Sequence, residues 1–503
     1  MKSLESILSF GSVDADNDEY LLQSFEDHEA YLNVLEHRKF LVSGRKGSGK
    51  TAIYKKIITT KSPDFFTFGH TFSDYPWHYH DKQAKIGVPD YDKYTHSWKY
   101  LILLTSAKIV LNQDHSLPYD DTSLEYMSKI ENFVVDSYGT RDPDITQIFS
   151  PSKHLKLKPT MNFDLGLLKA GISPDRVPIT ELPVIVSEVN RNLTQYIMSS
   201  LNPENNYFIC FDQLDLGFDP NSPDYKYRLI GLLLAARDLN LKAKEFGKKF
   251  SVTVFLRDDI YEMLQFEDKN KITENFYTLI EWDTSRTRGS LKSLMEKRFK
   301  ATIGELHEDI RWDQVFDETQ EMTGHLTKYR FITDRTFLRP RDIIKFSNAV
   351  LESYKHRMQS ENVDKTTRFI NQDLHDARDE YGRYFQREID DEIHKHIPLY
   401  KKYLEILKGI GVYRFTKEQF LAECKNRASI LPDTISPIYL LKDLFDFSII
   451  GYYKRGGKGF GGSEYVFKFK DPQQEFDESS DTFQVHLGLI DALSLKRYEK
   501  STK

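Results

Sequence analysis

The stretch Lys39–Ile58 reads KFLVSGRKGSGKTAIYKKII. Its centre, Gly44-Arg45-Lys46-Gly47-Ser48-Gly49-Lys50-Thr51, fits a phosphate-loop pattern: a glycine, four residues, a second glycine, a lysine and a hydroxyl. The residue types follow from what holding a triphosphate requires. Glycines at 44, 47 and 49 let the backbone take positive φ and bring N–H groups up to phosphate oxygens. Lys50 can reach the β and γ phosphates as a point charge, and the Thr51 hydroxyl can ligate Mg²⁺, which keeps much of its water shell. A helix opening at Thr51 and Ala52 adds its positive N-terminal end. The pattern by itself also fits a bland glycine turn, so its context decides. Phe40-Leu41-Val42-Ser43 reads as a short buried strand, and Ala52, Ile53, Ile57 and Ile58 put an apolar stripe on the following helix. Strand, loop and helix in that order predict an α/β nucleotide-binding core with Gly44 through Ala52 at the phosphates.

Composition bounds the rest. A chain of 503 residues holds two to four domains, one of them large enough for a full nucleotide-binding core. Mean hydropathy is −0.54, and the longest apolar stretch, Leu229–Ala236, is far too short to span a bilayer, so no membrane partner is expected. Met1–Asp14 lacks a basic start followed by an apolar run, so no signal peptide is read there. Two cysteines, Cys210 and Cys424, make no disulfide framework, and a cytoplasmic location is the expectation. The net charge of −6 argues against the whole chain being an electrostatic trap for nucleic acid; such contact needs a local patch.

Along the chain, Tyr20–His37 carries apolar residues at helical spacing and predicts a helix before the first strand. Phe65–Thr71 predicts a second strand. Residues 72–180 predict an insertion, because connections in α/β units are short. It should contain helices at Thr95–Asn112 and Ser123–Ser137 and a hairpin pairing Lys156–Lys158 with Asn162–Leu168. His78 and His80 have metal-ligand spacing but no third ligand nearby, which favours packed or surface aromatics. After a helix at Thr180–Leu201, Tyr207-Phe-Ile-Cys-Phe-Asp212 is a hydrophobic strand ending in a carboxylate, followed by Gln213, Leu214 and Asp215. An aspartate there can hold Mg²⁺ opposite the Thr51 hydroxyl; it can also merely begin a turn. A helix at Tyr225–Phe246 leads to the strand Phe250–Leu256, which delivers Arg257 from its tip. Arg257 is a candidate sensor of the triphosphate, or a surface partner of Asp258 or Glu262. Tyr277–Trp282 predicts the fifth strand.

Helices are expected at Ser290–Ala301 and Trp312–Thr323, and Leu338-Arg339-Pro340-Arg341-Asp342 heads another through Leu351. Pro340 suits a first-turn position. Arg341 beside the positive helix end is unfavourable unless an anion compensates, which makes it a candidate phosphate contact. Thr366–Lys503 reads as a separate module: helices at Pro398–Lys408, Lys417–Lys425 and Ser436–Phe447, a strand at Ile449–Tyr453, a glycine-rich basic tip, and a return strand at Tyr465–Lys470. This is a winged-helix layout. The third helix, with one Lys and two Asp, is a poor base reader. Lys454, Arg455 and Lys458 at the tip are the candidate nucleic-acid contacts, against a protein-interaction or structural wing. The expected domains are a tail at 1–18, a core at 19–285, a helical lid at 286–365 and the winged-helix module at 366–503.

Taken in order, GRKGSGKT, YFICFDQLD, FLRDD, RPRD and the C-terminal winged helix resemble the additional-strand ATPases related to AAA+, within them the STAND and Orc/Cdc6-like branch. FLVSGRKGSGKTAI, FDQLDLGF, LRDDIY and FSIIG also resemble a group of bacterial P-loop ATPases suspected of roles in phage defence or stress signalling. The resemblance implies a P-loop NTPase core with a parallel five-stranded sheet of order 5-1-4-3-2, ATP with Mg²⁺ as cofactors, Thr51 and Asp212 at the metal, Arg257 as first sensor and Arg341 as second. Family members usually carry Glu directly after the metal aspartate; this chain has Gln213. A positioned base contributes on the order of 10²–10⁴ in rate, so slow turnover is expected unless Asp215 takes the role. Slow turnover suits a switch. Two readings compete: an ATP-dependent regulatory switch acting through a homo-oligomer or a partner protein, and a DNA-handling initiator or transposition helper that uses the wing as its DNA arm. A small-molecule kinase fits poorly with such long helical additions. Arg298 is a candidate finger for a neighbouring subunit.

Overall fold

The computed structural model describes residues 2–71, 90–149, 182–283, 290–304, 308–360, 365–430, 436–456 and 462–496. The chain divides into two units: His28–Arg45 with Lys50–Ile280, and Met1–Asp27 with Lys46–Gly49 and Glu281–Lys503. His78, His80, the hairpin expected at 156–168 and Lys458 lie outside the described residues.

The first unit is built on five strands: β1 Leu41–Gly44, β2 Phe65–Thr71, β3 Asn206–Asp212, β4 Lys249–Arg257 and β5 Tyr277–Leu279. They lie parallel in the order β2-β3-β4-β1-β5, which is the expected 5-1-4-3-2 order read from the other edge. The fold class is therefore α/β with a P-loop ATPase type of sheet. Its central strands read as near-continuous apolar runs because both faces are covered: Tyr207 to Phe211 and Val252, Val254, Phe255 and Leu256 are all buried.

The helices of this unit are α1 Glu29–Leu35, α2 Lys50–Thr59, α3 Asp90–Asn112, α4 Asp121–Tyr138, α5 Ile145–Phe149, α6 Leu182–Ser200, α7 Pro223–Glu245, α8 Asp258–Met263 and α9 Lys269–Phe276. Helix α3 buries Trp98, Leu101, Ile102, Leu103 and Leu104; a helix apolar all round must be enclosed, and α3 packs between α6 and α7. The helix expected over Tyr20–His37 is shorter. Residues 20–24 form turns, and the His28 imidazole accepts the Ala30 N–H at 3.0 Å, which caps α1 and starts it at Glu29.

The second unit contains α10 Leu291–Ile303, α11 Trp312–Val315, α12 Lys328–Thr333, α13 Pro340–Met358, α14 Asn371–Ile393, α15 Tyr400–Ile410, α16 Lys417–Asn426 and α17 Pro437–Asp446. Strands β6 Arg414–Thr416, β7 Ile450–Lys454, β8 Glu464–Val466 and β9 Thr482–Val485 form an antiparallel sheet of order β6-β9-β7-β8. The expected helix at Trp312–Thr323 is only α11, one turn. The expected capping box is present: Thr416 Oγ1 accepts the Gln419 N–H at 3.2 Å while the Gln419 side chain accepts the Thr416 N–H at 2.8 Å.

Helix α14 packs along α13. Phe346 and Tyr381 meet with ring centroids 4.6 Å apart, and Arg357 pairs Asp373 through two bonds of 2.7 and 2.9 Å. The N-terminal residues belong to the same unit. Phe10 is fully enclosed, its ring 5.0 Å from that of Phe299 and 6.2 Å from that of Phe369. Asn348 accepts the Phe10 N–H at 2.8 Å and donates to the Gly11 carbonyl at 3.0 Å. Arg298, the finger candidate, is buried at 3% exposure and pairs with Asp18 at 2.5 Å. It is an internal strut with no face to offer a neighbouring subunit.

Candidate functional site

The loop Gly44–Gly49 is shaped by where its carbonyls go. Lys50 Nζ donates to the Gly44 and Arg45 carbonyls at 2.6 and 3.0 Å. Arg339 donates to the Lys46 carbonyl at 2.8 Å, and the Trp282 indole donates to the Ser48 carbonyl at 2.9 Å. In a trans peptide the C=O and the following N–H point opposite ways, so the N–H groups of Gly47 and Gly49 are aimed away from Arg339 and Trp282. Both glycines have positive φ, 79° and 109°. At Gly47 a Cβ would also lie 2.9 Å from Arg341 Cβ, so this position needs glycine for two separate reasons.

In the α/β unit the register pairs Gly44 with Arg257 and Thr71 with Asp212. Strand β4 lies between β1 and β3, so the tips of all three reach the same edge. Asp212 is buried at 2% exposure. Burial pushes its carboxyl up to about 6, opposed by the Gln213 N–H, the Thr51 hydroxyl and the Lys50 charge. The Thr51 hydroxyl thus lies close enough to the Asp212 carboxylate to favour its charged form. Asp212 Oδ2 is buried with no hydrogen-bond partner among the described residues, an unsatisfied acceptor of the kind that marks a missing ligand. A hydroxyl and a carboxylate oxygen are hard donors that fit Mg²⁺. Gln213 stands at φ 59°, an uncommon conformation for a side chain of this kind.

Burial lowers the Lys50 ammonium, opposed by Asp215, Asp258 and Asp212. Arg257 is gripped by Asp259 through bonds of 3.0 and 2.6 Å and reaches Asp215 at 3.5 Å. Burial raises the Asp258 carboxyl, reinforced by the Asp259 charge. The α/β unit therefore gathers Lys50, Thr51, Asp212, Gln213, Asp215 and Arg257.

In the other unit, Lys46 and Gly47 share surroundings with Arg341. Arg341 heads α13 and donates to Glu388 at 2.9 Å and to the Val13 carbonyl at 3.2 Å. Lys46 pairs with Asp391 at 3.1 Å and with Glu388 at 3.8 Å. Arg339 is 2% exposed, holds Asp342 through two bonds of 2.9 Å and also bonds Glu392. Sequence reasoning missed Arg339, Trp282, Asp259 and the α14 acids. The signal for the last was there: Glu388, Asp391 and Glu392 fall at i, i+3 and i+4 on one helix face.

In the same unit, Lys454 and Arg455 are exposed. Helix α17 has Tyr439 as its exposed apolar residue, and burial together with Asp446 pushes the Asp443 carboxyl up to about 6.

Residues 289–389 match the family of the FunZ-associated C-terminal helical domain. The FunZ-associated region takes in α10 through α13 and α14 as far as Ile389, so it crosses the boundary expected at residue 365. Among solved structures the chain is similar to the Orc1 protein of Aeropyrum pernix, determined in complex with DNA. That match covers 92% of this chain and 91% of that one at 12% identity and a TM-score of 0.31. A likeness so loose leaves the fold to be read from the sheet itself. No curated protein matches the chain. No described helix is long and apolar enough to cross a membrane.

Proposed function

We propose that the chain is an ATP-binding P-loop ATPase of slow turnover that works as a nucleotide-dependent switch. The observation that carries this reading is the buried, unsatisfied Oδ2 of Asp212 with the Thr51 hydroxyl and the Lys50 charge beside its carboxylate. The N–H groups of Gly47 and Gly49 would receive phosphate oxygens, and the Lys50 ammonium would supply positive charge at the β and γ positions. Thr51 and Asp212 would hold Mg²⁺, which when bound draws charge from the phosphate oxygens. Gln213 can orient a water through its amide but cannot take its proton, and Asp215 faces Arg257. Hydrolysis is accordingly slow, and the bound triphosphate can keep one conformation for long periods.

Lys50→Ala is expected to abolish binding of a fluorescent ATP analogue; equal affinity in mutant and wild type would sink the reading. The likeness to bacterial ATPases suspected in phage defence makes plaque counts with the same variant the cellular test.

The exposed Lys454 and Arg455 favour a second reading, DNA binding through the β7–β8 tip. Fluorescence-anisotropy titrations across salt separate the two. Binding carried by phosphate contacts weakens steeply as salt rises, whereas a switch with a protein partner shows little DNA binding at any salt.

A further inference from the structure

Two of the cations placed at the phosphates, Lys46 and Arg341, share one carboxylate. Glu388 lies 2.9 Å from the Arg341 guanidinium and 3.8 Å from Lys46 Nζ. Its side chain is 15% exposed, against 21% for Arg341 and 27% for Lys46, so the trio is partly withdrawn from water, where charge pairs are screened less. Asp391, 64% exposed, adds a weaker strap to Lys46. The anion that the charge at the start of α13 calls for is thus supplied by α14 of the same chain.

We propose that Glu388 sets nucleotide affinity by competing with phosphate oxygens for Lys46 and Arg341. The proposal rests on the nucleotide-binding reading above. A phosphate that engages either cation must displace the carboxylate, and the cost is subtracted from binding. The released end of α14 carries Glu388, Asp391 and, one residue further, Glu392 on Arg339. Arg339 in turn holds the Lys46 carbonyl, so displacement at Glu388 is felt at both ends of the same loop residue. This gives the C-terminal half of the chain a way to register occupancy of the loop without contributing a catalytic group.

The sign of one substitution separates competition from mere support. Glu388→Gln keeps the size and removes the charge. If Glu388 competes, this variant binds a fluorescent ATP analogue roughly 3- to 10-fold more tightly than wild type. If Glu388 only orients Arg341, affinity is unchanged or weaker, and the proposal is overturned. Should circular dichroism show that Glu388→Gln fails to fold, Asp391→Asn is measured in its place. It removes the exposed strap alone, with an expected gain of about 2-fold, and no gain overturns the proposal. A wild-type chain that binds no better than Lys50→Ala removes the nucleotide reading and this proposal together. Wild-type binding that neither carboxylate variant improves removes the proposal alone.

Discussion

Asp212 carries a charge that its surroundings do not favour. With its carboxyl pushed from 3.8 to about 6 by burial, the folded chain binds a proton more tightly than the unfolded one. Stability therefore falls as pH rises from about 4 to 6 and stays lowered above that window. Two pK units correspond to about 3 kcal/mol, and an asparagine amide in the same place recovers only part of it, about 2 kcal/mol. Asp212→Asn should melt higher than wild type at pH 7.5 in EDTA, and this advantage should vanish by pH 4, where both forms are neutral. The same variant should lose magnesium-dependent nucleotide binding. A variant that melts lower at pH 7.5 would mean the buried carboxylate is satisfied in a way the geometry does not reveal. The residues most legible in the sequence were those tied to a short motif: Asp212 ends β3, Lys50 and Thr51 open α2 after the loop that follows β1, and strand ends meet at one edge of a parallel sheet. Glu388 was not legible, because a carboxylate on a helix surface gives no local sign of its partner. Its neighbour Asp391 meets Lys46 across 345 positions of sequence.

Among elements, the parallel strands were readable because each is a compact apolar run bounded by turns, and their order followed once the P-loop type of core was named. Helix α14 was not read at all. Its sequence is dominated by charged residues, yet Leu374, Ala377, Tyr381, Phe385, Ile389 and Ile393 are buried at spacings of three and four, so the stripe was available to a periodicity count. Strand β9 was missed for a different reason: Thr482–Val485 is only four residues long and follows an acidic run that reads as loop. The packing of α14 on α13 turns on Asp373, which is fully buried, accepts the Ile370 N–H at 2.8 Å and holds Arg357. Removing one partner of such a pair leaves the other charge enclosed. Asp373→Ala should cost about 3–5 kcal/mol, measured as a lower urea midpoint for the transition that reports this unit. A loss under about 1 kcal/mol would show that Arg357 finds another partner. Arg357→Met together with Asp373→Leu should cost less than the single change, since it removes both charges at once.

At the scale of the whole molecule, the loop Gly44–Thr51 is shared. Lys46–Gly49 group with the C-terminal unit, and the residues on either side group with the α/β unit. Light scattering with no nucleotide, with ADP and with a non-hydrolysable ATP analogue is expected to show a change of size or shape for the analogue alone, absent in Lys50→Ala. Identical profiles in all three states would leave the chain a nucleotide binder without a switch.

The aromatic socket around Phe10 has a consequence for biosynthesis. Residues 2–27 leave the ribosome well before α10, which supplies Phe299 and Arg298 to them and follows roughly 270 residues later. At about 5–20 residues per second, the leading segment waits on the order of 15–50 s before its partners are made. During that interval Leu4 and Phe10 are bare hydrophobic groups on a nascent chain, available to any chaperone that binds such surfaces. A ribosome stalled before residue 291 should therefore leave residues 2–27 protease-sensitive, whereas the chain that includes α10 protects them.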